Sequence, residues 1–193
     1  EVPEQSFLLA SIFLDSVEVQ DGARYRYEPE FGVSQAMTAE GLLCRQWLGW
    51  PREHPALESG SRFLLGEKHR PRWDGGRRNV YAWYYTAQVL HNMGGEDWET
   101  WYREVRDEIV SHQARTGSVR KGADVRGSWH PADPRGQSAE KADIAGRLYL
   151  SAMCVLILET PYRHVSVYEV PGSPVEESPA EDEGSSPAES SQR

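Results

Sequence analysis

The sequence predicts an all-α protein whose helices stack in two layers, and three observations support this. Six stretches show the three-to-four-residue spacing of apolar side chains that is typical of helices. Three of them are apolar nearly all round, as buried helices are, and the other three have one apolar face. The two kinds alternate along the chain, as in helical repeat arrays whose inner helices are covered by outer ones.

The first, third and fifth helices are predicted to be amphipathic and to form the outer layer. The first begins after Pro3 and the third begins at Pro55, because proline is tolerated in the first turn of a helix. The fifth is predicted over residues 97–113. A polar loop after the first helix is predicted to contain Tyr25 and Tyr27. The inward faces are formed by Phe7, Ala10, Phe13, Leu14 and Val17, by Leu57, Phe63 and Leu64, and by Trp98, Trp101, Tyr102, Val105 and Ile109.

The second, fourth and sixth helices are predicted over about 37–48, 79–93 and 143–159, and their composition predicts burial. Gly49 with Pro51, the Gly94–Gly95 pair and Pro161 are expected to end or kink them. Small residues near the middle of each helix predict close approach of neighbouring helices. These residues are Cys44, Ala87 and Cys154. The two cysteines are interpreted as buried thiols, although sequence alone leaves a disulfide open.

Composition divides the chain into a repeat domain over 1–169 and a tail over 170–193. The net charge is −9, but the stretch from Pro171 holds six acidic residues and one basic residue, so the repeat domain is only weakly acidic. This balance argues against non-specific binding of nucleic acid. The tail is rich in Pro, Glu and Ser and is predicted to be disordered. No apolar run is long enough for a membrane span, and the start at Glu1 without Met indicates either a mature form or a piece cut from a longer protein.

A resemblance to a known superfamily comes from Gln113 followed by Gly127-Ser128-Trp129. This pattern resembles the QW-type motif of squalene and hopene cyclases, in which the Gln side chain and the Trp ring tie the end of an outer helix to the next turn. The resemblance implies the same structural role for Gln113, Gly127 and Trp129.

Two predicted inner helices extend this resemblance. The stretches 37–46 and 80–90 are similar to inner helices of bacterial squalene-cyclase-like and prenyltransferase-repeat proteins, and the resemblance covers about residues 1–168. It implies an α/α toroid. Because a closed toroid of that superfamily has more inner helices than the three predicted here, the resemblance implies an incomplete toroid of about three helix pairs that lacks its N-terminal part.

The catalytic motifs of the superfamily are not found in the sequence. Class II cyclases protonate a polyene with an Asp-x-Asp-Asp motif, and this chain has none. At the positions that match the Asp, Cys and His zinc ligands of prenyltransferases, it carries Arg78, Val80 and Leu150. The resemblance therefore implies no zinc site, and no metal or cofactor is predicted.

The Arg77–Arg78 pair and Tyr81 form the first candidate binding site. In prenyltransferases a basic pair and a Tyr at about this place hold the isoprenoid diphosphate, so the resemblance implies that role here. Guanidinium groups suit phosphate oxygens, and the start of a helix adds a positive dipole end. The alternative interpretation is a solvated basic loop that packs against nearby acids.

Aromatic residues and one carboxylate on the predicted inner helices form the second candidate. Tyr81, Trp83, Tyr84 and Tyr85 are interpreted either as the lining of an aromatic surface for a lipid or cation or as plain core. Glu40 is unusual on an apolar helix. It is interpreted as paired with Arg45 or with a base from a loop, or alternatively as a general acid.

The leading functional hypothesis is a non-catalytic module that binds a partner or a hydrophobic, isoprenoid-like ligand on its inner surface. The alternative is an isoprenoid cyclase or prenyl-diphosphate transferase whose catalytic acid lies outside this chain. A glycan-processing α/α enzyme ranks last, because it needs paired carboxylates facing the axis and only Glu40 qualifies. An open half-toroid exposes inner-helix surface, which predicts association with itself or with missing repeats.

Overall fold

The computed structural model describes residues 2–115 and 125–169, which are predominantly helical. The helices are α1 Glu4–Val17, α2 Gln35–Trp47, α3 Pro55–Leu64, α4 Val80–Met93, α5 Gly95–Ser111 and α6 Ala142–Arg163. A small antiparallel hairpin, β1 Glu18–Val19 and β2 Arg24–Tyr25, follows α1. The all-α prediction is confirmed, and each predicted helix is present with its ends shifted by a few residues. The predicted disordered tail lies outside the described residues.

The helices are arranged as a central row with a flanking set. Helix α4 lies between α2 and α6 and makes its most extensive contacts with these two. Helix α3 contacts both α2 and α4, and helix α5 contacts both α4 and α6. We call α2, α4 and α6 the central row and α1, α3 and α5 the flanking helices. These are the same two sets that the apolar and amphipathic patterns separate.

Helix α4 takes part in both hydrophobic clusters found among the described residues. The first cluster joins α4 to α5 and α6 through Val80, Trp83, Ala87, Leu90, Trp101, Val105, Ile109, Leu150, Met153, Cys154 and Ile157, with Trp73, Trp129 and Ala142. The second joins α4 to the N-terminal part through Leu14, Val17, Tyr25, Ala39, Leu42, Leu43, Leu57, Leu64 and Val89. Ala87 and Cys154 are buried in the first cluster, in line with the predicted close approach, whereas Cys44 is only half-buried. Both cysteines are free thiols.

Two glycines allow side chains to lie directly on helix backbones. The ring of Tyr25 packs on Gly41 of α2, where an added Cβ atom would overlap the ring, and Leu42 packs in the same way on Gly60 of α3. Tyr25 was predicted to lie in a polar loop, and this is wrong. The β1–β2 hairpin folds Tyr25 back onto α2, where its hydroxyl accepts a hydrogen bond of 3.0 Å from Arg45.

Helix α1 differs from its predicted role. Leu14 and Val17 are buried, but the other predicted inward residues are exposed, among them Phe7 and Phe13. The sequence pattern correctly identifies an apolar face on α1. Within the described residues, however, other parts of the protein cover this face only near Leu14 and Val17.

Helix α6 contains a break at Gly146, which adopts φ 85°. Among the described residues no helix is both long and apolar enough to cross a membrane.

The variant Gly41→Ala is expected to lower the free energy of unfolding by about 1–3 kcal/mol, because the added methyl group overlaps the Tyr25 ring in a close-packed core. Urea unfolding followed by circular dichroism measures the change. Gly32→Ala is the matched control, since a Cβ atom at Gly32 meets no atom within 4 Å. An equal change for the two variants would contradict the proposed packing constraint.

Candidate functional site

The side of the central row that faces away from α3 and α5 is the candidate binding surface, and we call it the open face. Its residues are partly or fully exposed, whereas the opposite sides of the same helices are buried. The open face consists of Met37, Glu40, Cys44 and Trp47 of α2, Tyr81, Tyr84 and Tyr85 of α4, and Tyr149 and Ala152 of α6. It is therefore apolar and aromatic, with one carboxylate.

Tyrosine rings dominate the middle of the open face. The rings of Tyr81 and Tyr85 lie 5.2 Å apart and those of Tyr84 and Tyr85 lie 5.0 Å apart, both edge to face. Burial raises the pKa of Tyr81, Tyr85 and Tyr149 above the usual value for a phenol. These hydroxyls are therefore neutral at physiological pH and can donate hydrogen bonds.

Glu40 lies next to this tyrosine cluster. Burial raises the pKa of its carboxyl, an effect that interaction with the Tyr81 hydroxyl opposes. One carboxylate oxygen is buried without a hydrogen-bond partner. The predicted pairing with Arg45 is wrong, because Arg45 forms ion pairs with Asp15 and Glu18 instead. Glu40 is thus a half-buried carboxyl beside aromatic rings.

A groove of about 280 Å³ adjoins the open face at Glu40 and separates α2 from α1 and the hairpin. We call it the end groove. Apolar side chains form most of its wall. It is lined by Ala10, Phe13, Leu14, Val17, Tyr25, Arg26, Tyr27, Met37, Glu40, Gly41 and Cys44.

Arg78 was predicted to bind phosphate, but its side chain is buried and all of its N–H groups bond to other residues of the protein. Its side chain is 0% exposed and forms a two-pronged ion pair with Glu140, which is 1% exposed, at 2.8 and 2.9 Å. Its remaining N–H groups donate to the carbonyl oxygens of Pro134, Pro131 and His130. No guanidinium donor is left for a ligand, so the diphosphate role predicted for Arg78 is wrong.

Arg77 lies apart from Arg78 and does not form a joint site with it. Its guanidinium is exposed and pairs with Asp74. The alternative interpretation, in which both arginines pack against acids, fits the geometry. Sequence reasoning missed Glu140, which lies 62 positions further along the chain than Arg78 and is not distinguished by any local pattern.

Gln113 and Trp129 each form a hydrogen bond between the end of α5 and the segment that precedes α6. The Gln113 side chain donates to the Gly127 carbonyl at 3.0 Å, and the Trp129 indole N–H donates to the Ile109 carbonyl at 2.6 Å. Trp129 is buried, and its backbone N–H donates to Ser151 of α6. These contacts tie the end of α5 to the segment that leads into α6.

A buried polar network at the far end of α2 and α4 was not predicted from the sequence. Asn92 donates to the Gln46 side-chain oxygen at 2.9 Å, and Gln46 donates to the Val89 carbonyl. Ser166, in the segment that follows α6, donates to the Asn92 carbonyl. The sequence did hold a signal for this network, because Gln46 and Asn92 are amides on otherwise apolar helices, and buried amides require hydrogen-bond partners.

The comparisons with known proteins leave the family unassigned. No family model, no curated protein and no solved structure matches this chain. Within residues 2–115 and 125–169, no group of three or more His, Cys, Asp or Glu side chains is placed to hold a metal ion. The resemblance to terpenoid cyclases and prenyltransferases therefore remains a prediction from the motifs.

The variant Arg78→Ala is expected to lower the free energy of unfolding by about 3–5 kcal/mol, because it leaves the buried Glu140 carboxylate without its partner. Guanidinium chloride unfolding measures this loss. Arg77→Ala removes an arginine whose ion pair is exposed and is expected to leave the stability nearly unchanged. Comparable losses for the two variants would contradict the assigned roles.

The variant Glu40→Gln is expected to be more stable than the wild type at pH 7. The folded-state pKa of Glu40 is raised, so its ionisation at neutral pH opposes folding, whereas below the usual glutamate pKa the group is protonated in both folded and unfolded chains. The advantage of Glu40→Gln is therefore largest at pH 7 and shrinks at pH 4. Urea unfolding at both pH values measures it, and a constant difference would contradict this account.

Proposed function

We propose that this chain is part of an α/α-toroid-like repeat array and acts as a non-catalytic module that binds an apolar, isoprenoid-like ligand on its open face. The observation that carries the proposal is the partly exposed aromatic surface formed by Tyr81, Tyr84 and Tyr85. It lies on the central helix of the row and is flanked by Trp47 on α2 and Tyr149 on α6.

The chemistry of the open face favours an apolar ligand with unsaturated groups. Ligand sites are mostly apolar and aromatic, with a few polar groups that set orientation. The tyrosine rings provide such a surface, and their neutral hydroxyls, together with Glu40, are the polar groups. The ionisable group beside the tyrosines is the Glu40 carboxyl, and the Arg78 guanidinium is already paired with Glu140. The open face therefore offers no cationic side chain to an anionic head group.

The arrangement of the helices supports the toroid part of the proposal. Flanking helices α3 and α5 each bridge two neighbours of the central row, which is the packing that repeats from pair to pair in helical arrays. The hydrogen bonds of Gln113 with Gly127 and of Trp129 with Ile109 join the end of α5 to the segment before α6, which supports a QW-type role for these residues.

One observation favours the alternative, an isoprenoid cyclase or prenyl-diphosphate transferase. Glu40 is a carboxyl of raised pKa beside aromatic rings, and both features occur in sites that protonate apolar substrates. A diphosphate transferase would also need the phosphate groups for binding, whereas the module proposed here binds the hydrocarbon part alone.

Isothermal titration calorimetry with farnesol and with farnesyl diphosphate separates these functions. The proposed module binds farnesol, and the diphosphate adds no affinity. Tyr85→Ala and Trp47→Ala are each expected to weaken farnesol binding roughly three- to tenfold through the loss of one aromatic contact. Trp47 is exposed, so its replacement tests binding without threatening the fold.

The matched control is Tyr162→Ala, which removes an exposed tyrosine near the end of α6, away from the tyrosine cluster. It should bind farnesol like the wild type. The absence of farnesol binding, or equal losses for Tyr162→Ala and Trp47→Ala, would refute the proposal. Binding that requires the diphosphate would favour the transferase.

A further inference from the structure

Glu40 belongs to both of the surfaces that meet on α2. It is one of the residues of the open face, and it also lines the end groove toward α1 and the hairpin. Its carboxyl interacts with the hydroxyl of Tyr81 on α4. Glu40 therefore lies where the aromatic surface and the groove join, so a ligand bound along the open face has room to place one end beside this carboxyl.

The Glu40 carboxyl has no basic partner among the residues that the structure describes. None of their arginine, lysine or histidine side chains forms an ion pair with it. One of its oxygens is buried without a hydrogen-bond partner, and the Tyr81 hydroxyl beside it is neutral. A carboxylate in such surroundings is costly to ionise unless a cation joins it.

The arginines of the neighbouring segments are used elsewhere. Arg45, on the same helix, forms ion pairs with Asp15 and Glu18. Arg26 lines the end groove, but its guanidinium donates hydrogen bonds to the carbonyl oxygens of Pro29 and Glu18. Both bases close to the groove are thus tied to other groups, and the carboxyl at the join of the two surfaces keeps an uncompensated charge when it is ionised.

Aromatic side chains lie on both sides of this carboxyl. Tyr81 and Tyr85 lie on the side of the open face, with ring centres 5.2 Å apart, and Phe13 and Tyr27 line the groove. Aromatic rings attract ammonium groups, and a carboxylate among such rings favours a cation over a neutral or anionic group. The other walls are mostly apolar, which suits a ligand whose remaining part is hydrocarbon.

We propose that the ligand of the open face ends in a primary ammonium group, which binds to Glu40 where the open face joins the end groove. The hydrocarbon part lies along the tyrosine rings, so this inference rests on the proposed function. The ammonium group donates a charge-assisted hydrogen bond to the carboxylate and supplies the positive charge that the surrounding side chains do not. The groove, of about 280 Å³, has room for such a head group.

Isothermal titration calorimetry at pH 7 with three ligands that share one hydrocarbon chain tests this proposal. Farnesylamine is expected to bind roughly tenfold more tightly than farnesol, because a hydrogen bond between charged groups is stronger than one to a hydroxyl. Farnesoic acid should bind no more tightly than farnesol, since its carboxylate meets that of Glu40. If farnesoic acid bound most tightly, Arg26, whose Nε is buried without a partner, would select the head group, and the proposal would be overturned.

The variant Glu40→Gln keeps the shape of the side chain and removes its charge. In this variant the ratio of the farnesylamine and farnesol affinities is expected to fall to about one. Glu30→Gln is the matched control, because Glu30 is exposed and lies outside both the open face and the end groove. It should keep the preference for the amine. The control separates binding at Glu40 from general attraction of a cation to a chain of net charge −9.

Equal affinities of the wild type for farnesylamine and farnesol would overturn the ammonium proposal and leave the binding function of the open face intact. A preference that survives in Glu40→Gln, or that is lost in Glu30→Gln, would overturn it as well. The absence of farnesol binding would instead refute the proposed function itself, so the two failures are distinguished by the same set of titrations.

Discussion

The ion pair between Arg78 and Glu140 is the interaction on which the arrangement of the chain most depends. Removing two charges from water costs several kcal/mol, and the pair is tolerated because its hydrogen bonds are satisfied. Arg78 donates to both carboxylate oxygens and to three backbone carbonyls, and its guanidinium lies 4.8 Å from the ring centre of Trp73. Glu140 also accepts from the Val80 N–H at the first residue of α4. The pair thus joins the start of α4 to the segment before α6.

This constraint fixes which side of α4 remains free. Trp83, Ala87 and Leu90 turn toward α5 and α6, and Val89 turns toward α2. The remaining side carries the tyrosines, which no other described element covers completely. The arginine that the resemblance assigns to a phosphate is used here to hold the helix that presents the aromatic surface. The two roles of Arg78 differ in what they imply for folding. An arginine that only binds phosphate is dispensable for folding, whereas the partner of a buried carboxylate is not.

The parts of the fold that could be predicted from the sequence are those governed by local rules. Helix positions follow from apolar periodicity and from the Pro and Gly residues at their ends, and the division into central and flanking helices follows from how much of each surface is apolar. Gln113 and Trp129, which the sequence singles out on either side of one loop, form hydrogen bonds with Gly127 and Ile109.

The parts that could not be predicted depend on partners far away in the sequence. Glu40 was expected to pair with Arg45 or with a base from a loop, but Asp15 and Glu18 reach Arg45 from the preceding helix and hairpin. Tyr25 is buried because a hairpin of two short strands folds it onto Gly41. The apolar face of α1 was recognised, but no sequence rule states whether anything covers it.

The open face follows from the layered packing of the helices. Helices α3 and α5 both contact α4, and Tyr81, Tyr84 and Tyr85 lie on the side of α4 that stays partly exposed. The three rings already pack edge to face against one another. A ligand that binds there therefore meets side chains that are largely ordered beforehand, so binding costs little additional side-chain entropy.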